Sequence, residues 1–282
     1  MNIKLMKHLM KIKQDKLHNI LADFLNKQYG NENVYDNKHF IMAKGNLPIA
    51  LVAHMDTVHK ISPYEFFYDE RKQVLWSPQG IGADDRAGIY AIIDIIESGY
   101  RPHIIFTEDE EIGGIGAKEV TKIYPDCPFE ELKCIIELDR SGKQDCVFYE
   151  CDNKDFVKYI SSFGFKEDIG SFSDISIIAP EWEVAAVNLS VGYYHEHSLG
   201  EYLNIRELEN TIQKVKNILQ RSPYMNSYAY IPKIYHNYLD DFCLCCGEPV
   251  KKYQGISIFN GMHTFTCCDA CYASYFSNKI LY

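Results

Sequence analysis

No stretch of this 282-residue chain comes near the roughly 18 consecutive apolar residues that a membrane-spanning helix needs. The N-terminus, MNIKLMKHLMKIKQDK, is broken by lysines too often to form a secretory h-region, so a cytoplasmic protein is expected. Positive charge is also in short supply. Lys+Arg 29 against Asp+Glu 39 leaves a formal net charge of -10. That sign argues against a non-specific grip on nucleic acid or anionic lipid, and it fits a protein that gathers cations. There is no internal repeat and no low-complexity tract. With 46% hydrophobic and 24% charged residues, wholesale disorder is excluded, and one large domain or two unequal ones are expected.

Cysteine is sparse until the end. Cys127, Cys134, Cys146 and Cys151 are scattered, whereas six lie between Cys243 and Cys271. Without a signal peptide, such clustering points to metal before disulfides. It also marks a second domain.

Leu5, Leu9, Ile12, Leu17, Ile20, Leu21, Phe24 and Leu25 recur at near-helical spacing. They predict one amphipathic helix from about Lys4 to Gln28, stopped by Gly30, with Lys7, Lys11, Lys13 and Lys16 on a solvated face. Strands are expected at His39–Ala43, Pro48–Ala53, His103–Phe106, Cys134–Leu138 and Val184–Val191. Helices are expected at Asp85–Ser98, Gly116–Tyr124, Asp152–Phe163 and Ile205–Gln220. Apolar strands alternating with helices predict a three-layer α/β/α sandwich with a mostly parallel central sheet over residues 1–222. Residues 223–240, rich in tyrosine and without a period, read as a linker that packs on the first domain.

Ligands of an open α/β sheet gather outside the carboxyl ends of its strands. The polar residues at those ends are His54 and Asp56, then Thr107-Glu-Asp-Glu110-Glu111, then Asp139, then His195-Glu-His197. Between the first two groups runs Gly80-Ile-Gly-Ala-Asp84-Asp85-Arg-Ala-Gly88, a glycine-bounded turn opening a helix. Each has an ordinary explanation alone: a hydrogen-bonded surface histidine, an N-cap, a solvated glutamate pair. Together they crowd unpaired carboxylates at one sheet edge, and dipositive ions relieve that repulsion. Carboxylates and imidazoles without thiolate suit zinc, or cobalt or manganese, in a hydrolytic site. Two such ions carry four positive charges, which three carboxylates and a hydroxide would neutralise. A two-metal site holds its ions about 3.5–4 Å apart across a bridging carboxylate and water.

The segments HMDTV, GADDRAG, TEDEEIGGIGA, the Asp of IIELD, GSFSDI and GYYHEHSLGEYLNI, in that order, resemble the co-catalytic zinc exopeptidases. That clan joins aminopeptidases, tripeptidases, carboxypeptidases and acylamino-acid deacylases. The resemblance covers roughly residues 1–220 and implies roles for this chain's residues. His54 and Asp139 would bind one zinc and Glu111 the second. Asp84 would bridge the two ions and be followed by a cis peptide to Asp85. Asp56 would orient His54, and Glu110 would be the general base acting on a metal-bridging hydroxide. His197 would be the last ligand, resembling the His of an H-x-x-x-E ending with Glu201 as its Glu; His195 is the alternative, or contacts the oxyanion. Ser173 and Asp174 match a segment that lines the substrate pocket. Between Arg140 and Glu196 there is no room for the lid domain of about 100 residues that many two-domain relatives insert. That favours an aminopeptidase-like exopeptidase. The alternatives are an N-acyl-amino-acid deacylase or other amidohydrolase, and a catalytically silent binding protein that kept the fold. A peptide or acyl-amino acid is the expected substrate.

In residues 241–282, Cys243-x-x-Cys246-Gly followed by Cys268-x-x-Cys271 has the spacing of a four-thiolate structural zinc site. Cys245 and Cys267 are surplus, and Cys267 can replace Cys268. About forty residues hardly fold without such a staple. The tail resembles a zinc ribbon or treble clef. Asp241, Glu248 and Asp269 offset Lys251, Lys252 and Lys279, so docking on protein or on the catalytic domain, not on nucleic acid, is expected.

Overall fold

In a computed structural model of the chain, the apolar runs become strands and the amphipathic stretches become helices. The structure describes residues 1–233, 241–243, 246, 249–250, 255–259, 264–268 and 270–271. It divides into two units, Met1–Lys233 and Ile234–Tyr282.

The first unit begins with α1 (Ile3–Lys11), α2 (Gln14–Tyr29), β1 (Val34–Asn37), β2 (Phe40–Ala43) and β3 (Leu47–His54). There follow β4 (Phe67–Asp69), β5 (Val74–Trp76), α3 (Ala83–Glu97), β6 (Pro102–Thr107), α4 (Ile115–Ile123) and β7 (Cys134–Arg140). Then come β8 (Asp145–Val147), α5 (Lys154–Ser161), β9 (Lys166–Glu167), α6 (Ile175–Glu181) and β10 (Ala186–Ser190). The unit closes with β11 (Tyr193–Tyr194), β12 (Tyr202–Asn204) and α7 (Ile205–Arg221).

Eight strands make one sheet in the order β1-β2-β6-β3-β7-β10-β8-β9. Its centre, β6-β3-β7-β10, is wholly parallel, while β2 and β8 flank it antiparallel. Successive side chains of a strand face opposite sides, and β3 shows both sides buried. Ile49, Leu51 and Ala53 join the core formed with α1, α2, α3, α5 and α7. Ala50 and Val52 join the other, with α4 and α6. The result is the expected α/β/α sandwich, with all four parallel strands ending at one edge.

The N-terminal helix departs from its expected form. Instead of one helix, α1 and α2 meet at an extended Ile12 and Lys13. The apolar period runs through the break, so periodicity alone could not find it. The buried Arg86 needs acceptors, and the break frees the Ile12 carbonyl to take its Nη2–H at 3.2 Å. The second sheet, β11-β12-β5-β4, and α6, which contains Pro180, lie in segments too short for periodicity to show. Residues 223–233 pack on the first unit: Ala229 bridges to Val184 and Pro232 to Cys151, and Tyr228 is buried against Phe156 and Tyr159.

In the second unit, β13 (Asp241–Phe242) pairs with β14 (Pro249–Val250), and β15 (Gly255–Phe259) with β16 (Thr264–Cys268). Cys245, Glu248, Lys251, Lys252, Asp269, Lys279 and residues 234–240 lie outside the described residues, as do the side chains of Asp241, Cys267 and Cys268. Among the described residues, no helix is long and apolar enough to cross a membrane.

Candidate active site

The parallel strands deliver their terminal residues to one place. β3 ends on His54, which is 1% exposed, and Asp56 lies two residues on. Asp56 Oδ1 accepts a hydrogen bond from His54 Nδ1 at 3.0 Å. It also accepts the backbone N–H of Glu110, and its Oδ2 that of Glu111, both at 3.0 Å. One carboxylate thus sets the tautomer of His54, with Nε2 left as the outward nitrogen, and the position of the turn after β6.

Asp84 opens α3 after Gly82, whose φ of 62° is a left-handed value suited to glycine. The Asp84–Asp85 peptide is cis. Asp85 turns inward: its Oδ1 accepts the N–H of Gly88 at 2.9 Å and its Oδ2 that of His54 at 3.3 Å. Asp84 faces the site, and its two oxygens part company. Oδ1 lies 2.9 Å from His54 Nε2, and Oδ2 lies 3.2 Å from His197 Nε2. At the end of β7, Asp139 Oδ1 is 3.5 Å from His54 Nε2. Its backbone N–H is bonded to Asn188, and its side chain accepts from the Tyr193 hydroxyl at 3.2 Å. Glu111 Oε2 is 2.9 Å from His197 Nε2. Two ligand groups therefore share Asp84: His54 with Asp139, and His197 with Glu111.

The donor set fits cations. His54, Asp84 and Glu111 present ligand atoms within 4.8 Å of one another, as do His54, Asp85 and Asp139. Glu111 Oε1 is buried with no hydrogen-bond partner among the described residues, a cost that a cation would remove. Charge crowding shows in the titration of the same groups. Burial first, then neighbouring carboxylates, push Glu110 and Glu111 each up to about 7. Burial and the Asp84 charge drive Asp139 upward too. Asp84 goes the other way, because hydrogen bonds from His197 and His54 outweigh its burial. The Asp84 hydrogen bond holds His197 up at about 9.

Glu110 stands beside these ligands without an ion pair of its own among the described residues, its backbone fixed by Asp56. His195 is not drawn into the set. It is exposed, packs on Tyr202 with ring centroids 5.7 Å apart, and its carbonyl accepts the Ser198 hydroxyl. Ser173 and Asp174 are fully buried, where Ser173 bonds Glu137 and Thr107 bonds Asp174. Neither presents surface to a substrate. Asn188 and Tyr193, which no sequence motif marks, support the site, and so does Glu201, the Glu of the H-x-x-x-E ending. Glu201, 1% exposed, accepts the N–H groups of Gly82 and Asp84, each at 3.0 Å. Its spacing of four from His197 was the available signal; Asn188 and Tyr193 gave none. In the second unit, the thiols of Cys243, Cys246 and Cys271 lie within 4.8 Å of one another.

No protein-family model matches this chain, and no curated protein matches it. Solved structures do. Aminopeptidase PepT from Bacillus cereus ATCC 10987 is 14% identical, with 78% of this chain and 98% of that one covered at a TM-score of 0.63. A tripeptidase from Staphylococcus aureus subsp. aureus Mu50 is 15% identical, covering 79% and 98% at 0.63. An aminopeptidase from the archaeon Desulfurococcus kamchatkensis is 16% identical, covering 79% and 95% at 0.55. Aminopeptidases share this fold. At such identities the likeness is one of fold, and the chemistry has to be argued from the residues of this chain.

Proposed function

We propose that this chain is a metal-dependent exopeptidase of the aminopeptidase type. The observation that carries the proposal is Asp84, one of whose oxygens lies against His54 and the other against His197. His54, Asp84 and Asp139 would hold one ion; Asp84, Glu111 and His197 would hold the other. Zinc suits these nitrogen and oxygen donors, as do cobalt and manganese. When bound, such a pair polarises a carbonyl and makes water a stronger acid.

The chain supplies the rest. Glu110, beside the ligands with its backbone held by Asp56, takes the proton from the attacking water. It returns that proton to the departing nitrogen as the C–N bond breaks. Asp56 keeps Glu110 and Glu111 in register by holding both of their N–H groups. Fold likeness to an aminopeptidase and a tripeptidase supports a peptide substrate. In the second unit, Cys243, Cys246 and Cys271, with Cys268 or Cys267 as the fourth ligand, would hold one structural zinc.

The test is release of free amino acids from a peptide library with added zinc, cobalt or manganese. Wild type should be active and Glu110→Gln nearly inert. A wild type as inert as the variant on every peptide would sink the proposal.

A further inference from the structure

A second group of ligand-type side chains stands beside the turn that follows β6, outside the His54–His197 site. His39, Glu108 and Asp109 present an imidazole nitrogen and two carboxylate oxygens within 4.8 Å of one another. Backbone pairing brings them there. Phe40 of β2 faces Thr107 of β6 in antiparallel register, so His39, one residue earlier, falls opposite Glu108, one residue later. The Glu108 N–H donates to the His39 carbonyl at 2.9 Å. Residues opposed in this way hold their side chains as near neighbours.

Three observations separate this group from an ordinary patch of surface acid. The first is the imidazole. His39 Nδ1 is buried with no hydrogen-bond partner among the described residues, a cost that a metal bond would remove. The second is the bracing of both carboxylates from outside the group, each by one oxygen. His18 Nδ1 lies 2.8 Å from Glu108 Oε1, and its Nε2 lies 2.8 Å from Asp36 Oδ1. Gln14 Nε2 donates to Asp109 Oδ1 at 3.1 Å. Ligating carboxylates are commonly held by such partners, with the other oxygen left for the ion. The third is access: Glu108 keeps 14% of its side chain exposed, so an ion can reach the group from solvent.

We propose that His39, Glu108 and Asp109 bind one further divalent cation, separate from the His54–His197 site and from the thiols of the second unit. One imidazole with two carboxylates suits zinc, cobalt or manganese better than calcium or magnesium, which favour oxygen ligands alone. The two positive charges of the ion offset the two carboxylates. Glu108 and Asp109 directly precede Glu110, and their carbonyls accept the N–H groups of Gly116 and Ile115 at 2.9 and 3.1 Å. An ion here clamps the β1–β2 hairpin to the turn that carries Glu110. The site goes beyond the exopeptidase reading and does not depend on it.

The experiment dialyses the full chain against zinc at a low micromolar free level and counts zinc per chain by elemental analysis. Wild type should hold one ion more than His39→Ala and one more than Asp109→Asn, with the same circular dichroism spectrum in all three. Asp109→Asn is nearly isosteric and decides alone should His39→Ala misfold. Gln14→Ala removes only a brace and should weaken that one ion by about 10–100-fold. The difference of one ion should persist when each substitution is made in the His54→Ala chain. Equal zinc counts in wild type and Asp109→Asn overturn the site. So does a difference that vanishes in the His54→Ala chain, which would assign the lost ion to the His54–His197 site. If wild type cleaves no peptide yet the difference of one ion holds, the exopeptidase reading falls and this site stands.

Discussion

The two sets of candidate metal ligands are built in opposite ways. His54, Asp84, Glu111, Asp139 and His197 come from distant parts of the first unit and meet on a sheet already buried on both faces. Cys243, Cys246 and Cys271 come from one short stretch, in a unit whose described strands are two to five residues long. A large core can hold crowded acids in place before any ion arrives. A unit as small as the second would depend on an ion at such thiols to fold. Metal should therefore matter for chemistry in the first unit and for folding in the second.

The largest expected effect falls on the thiols. Removing metal with a chelator, or substituting Cys243→Ala, should unfold the second unit and leave the first intact. Structural zinc in small domains contributes about 10–16 kcal/mol. Limited proteolysis should then cut only beyond Lys233. Undiminished protection of the tail without metal would erase the contrast between the two units.

Next in size is the proposed general base. Glu110→Gln should lower kcat by about 10²–10⁴-fold with metal content unchanged by elemental analysis. His54→Ala should lower the metal content itself. If Glu110→Gln lost metal too, Glu110 would be a ligand and not the base.

Smaller effects are expected from residues that hold the ligands. Asp56→Asn and Glu201→Gln should each weaken metal binding or activity by about 10–100-fold, the usual cost of disturbing such support. Both proteins should keep the wild-type circular dichroism spectrum.

The smallest effect is on pH dependence. In metal-free protein Glu110 and Glu111 are raised from 4.5 to about 7. Raised carboxyls stabilise the fold fully below about 4.5, and that contribution is lost as pH climbs through 7. His197, raised from 6.5 to about 9, loses its contribution from 6.5 to 9. The melting temperature of stripped protein should thus fall on the order of a few degrees between pH 4.5 and 9. Zinc should flatten the slope, because bound ions keep these groups deprotonated. Equal slopes with and without zinc would separate the acid cluster from any metal.

Much of the candidate site was legible before the fold was known. Apolar runs such as Ile49–Ala53 and Ile135–Leu138 mark buried parallel strands, and the acids and histidines directly after them must emerge at one edge. The Asp84–Asp85 cis bond, implied by family resemblance, is present in the structure. The break at Ile12 was not legible, because the demand for it comes from Arg86, far away in the chain. The inward turn of Asp85, the support from Asn188 and Tyr193, and the burial of Ser173 and Asp174 all depend on partners that no local pattern names.

The order of the main parallel strands and of the helices between them, and the kinds of residue each strand end carries, were set by the sequence alone, since side-chain period and chemistry are local properties. Which oxygen of Asp84 meets which histidine was decided only by tertiary structure. The same holds for the approach of His197, and not His195, to Asp84 and Glu111. Those outcomes depend on distances across the fold, and through-space electrostatics and hydrogen bonding act on distance, not on position along the chain.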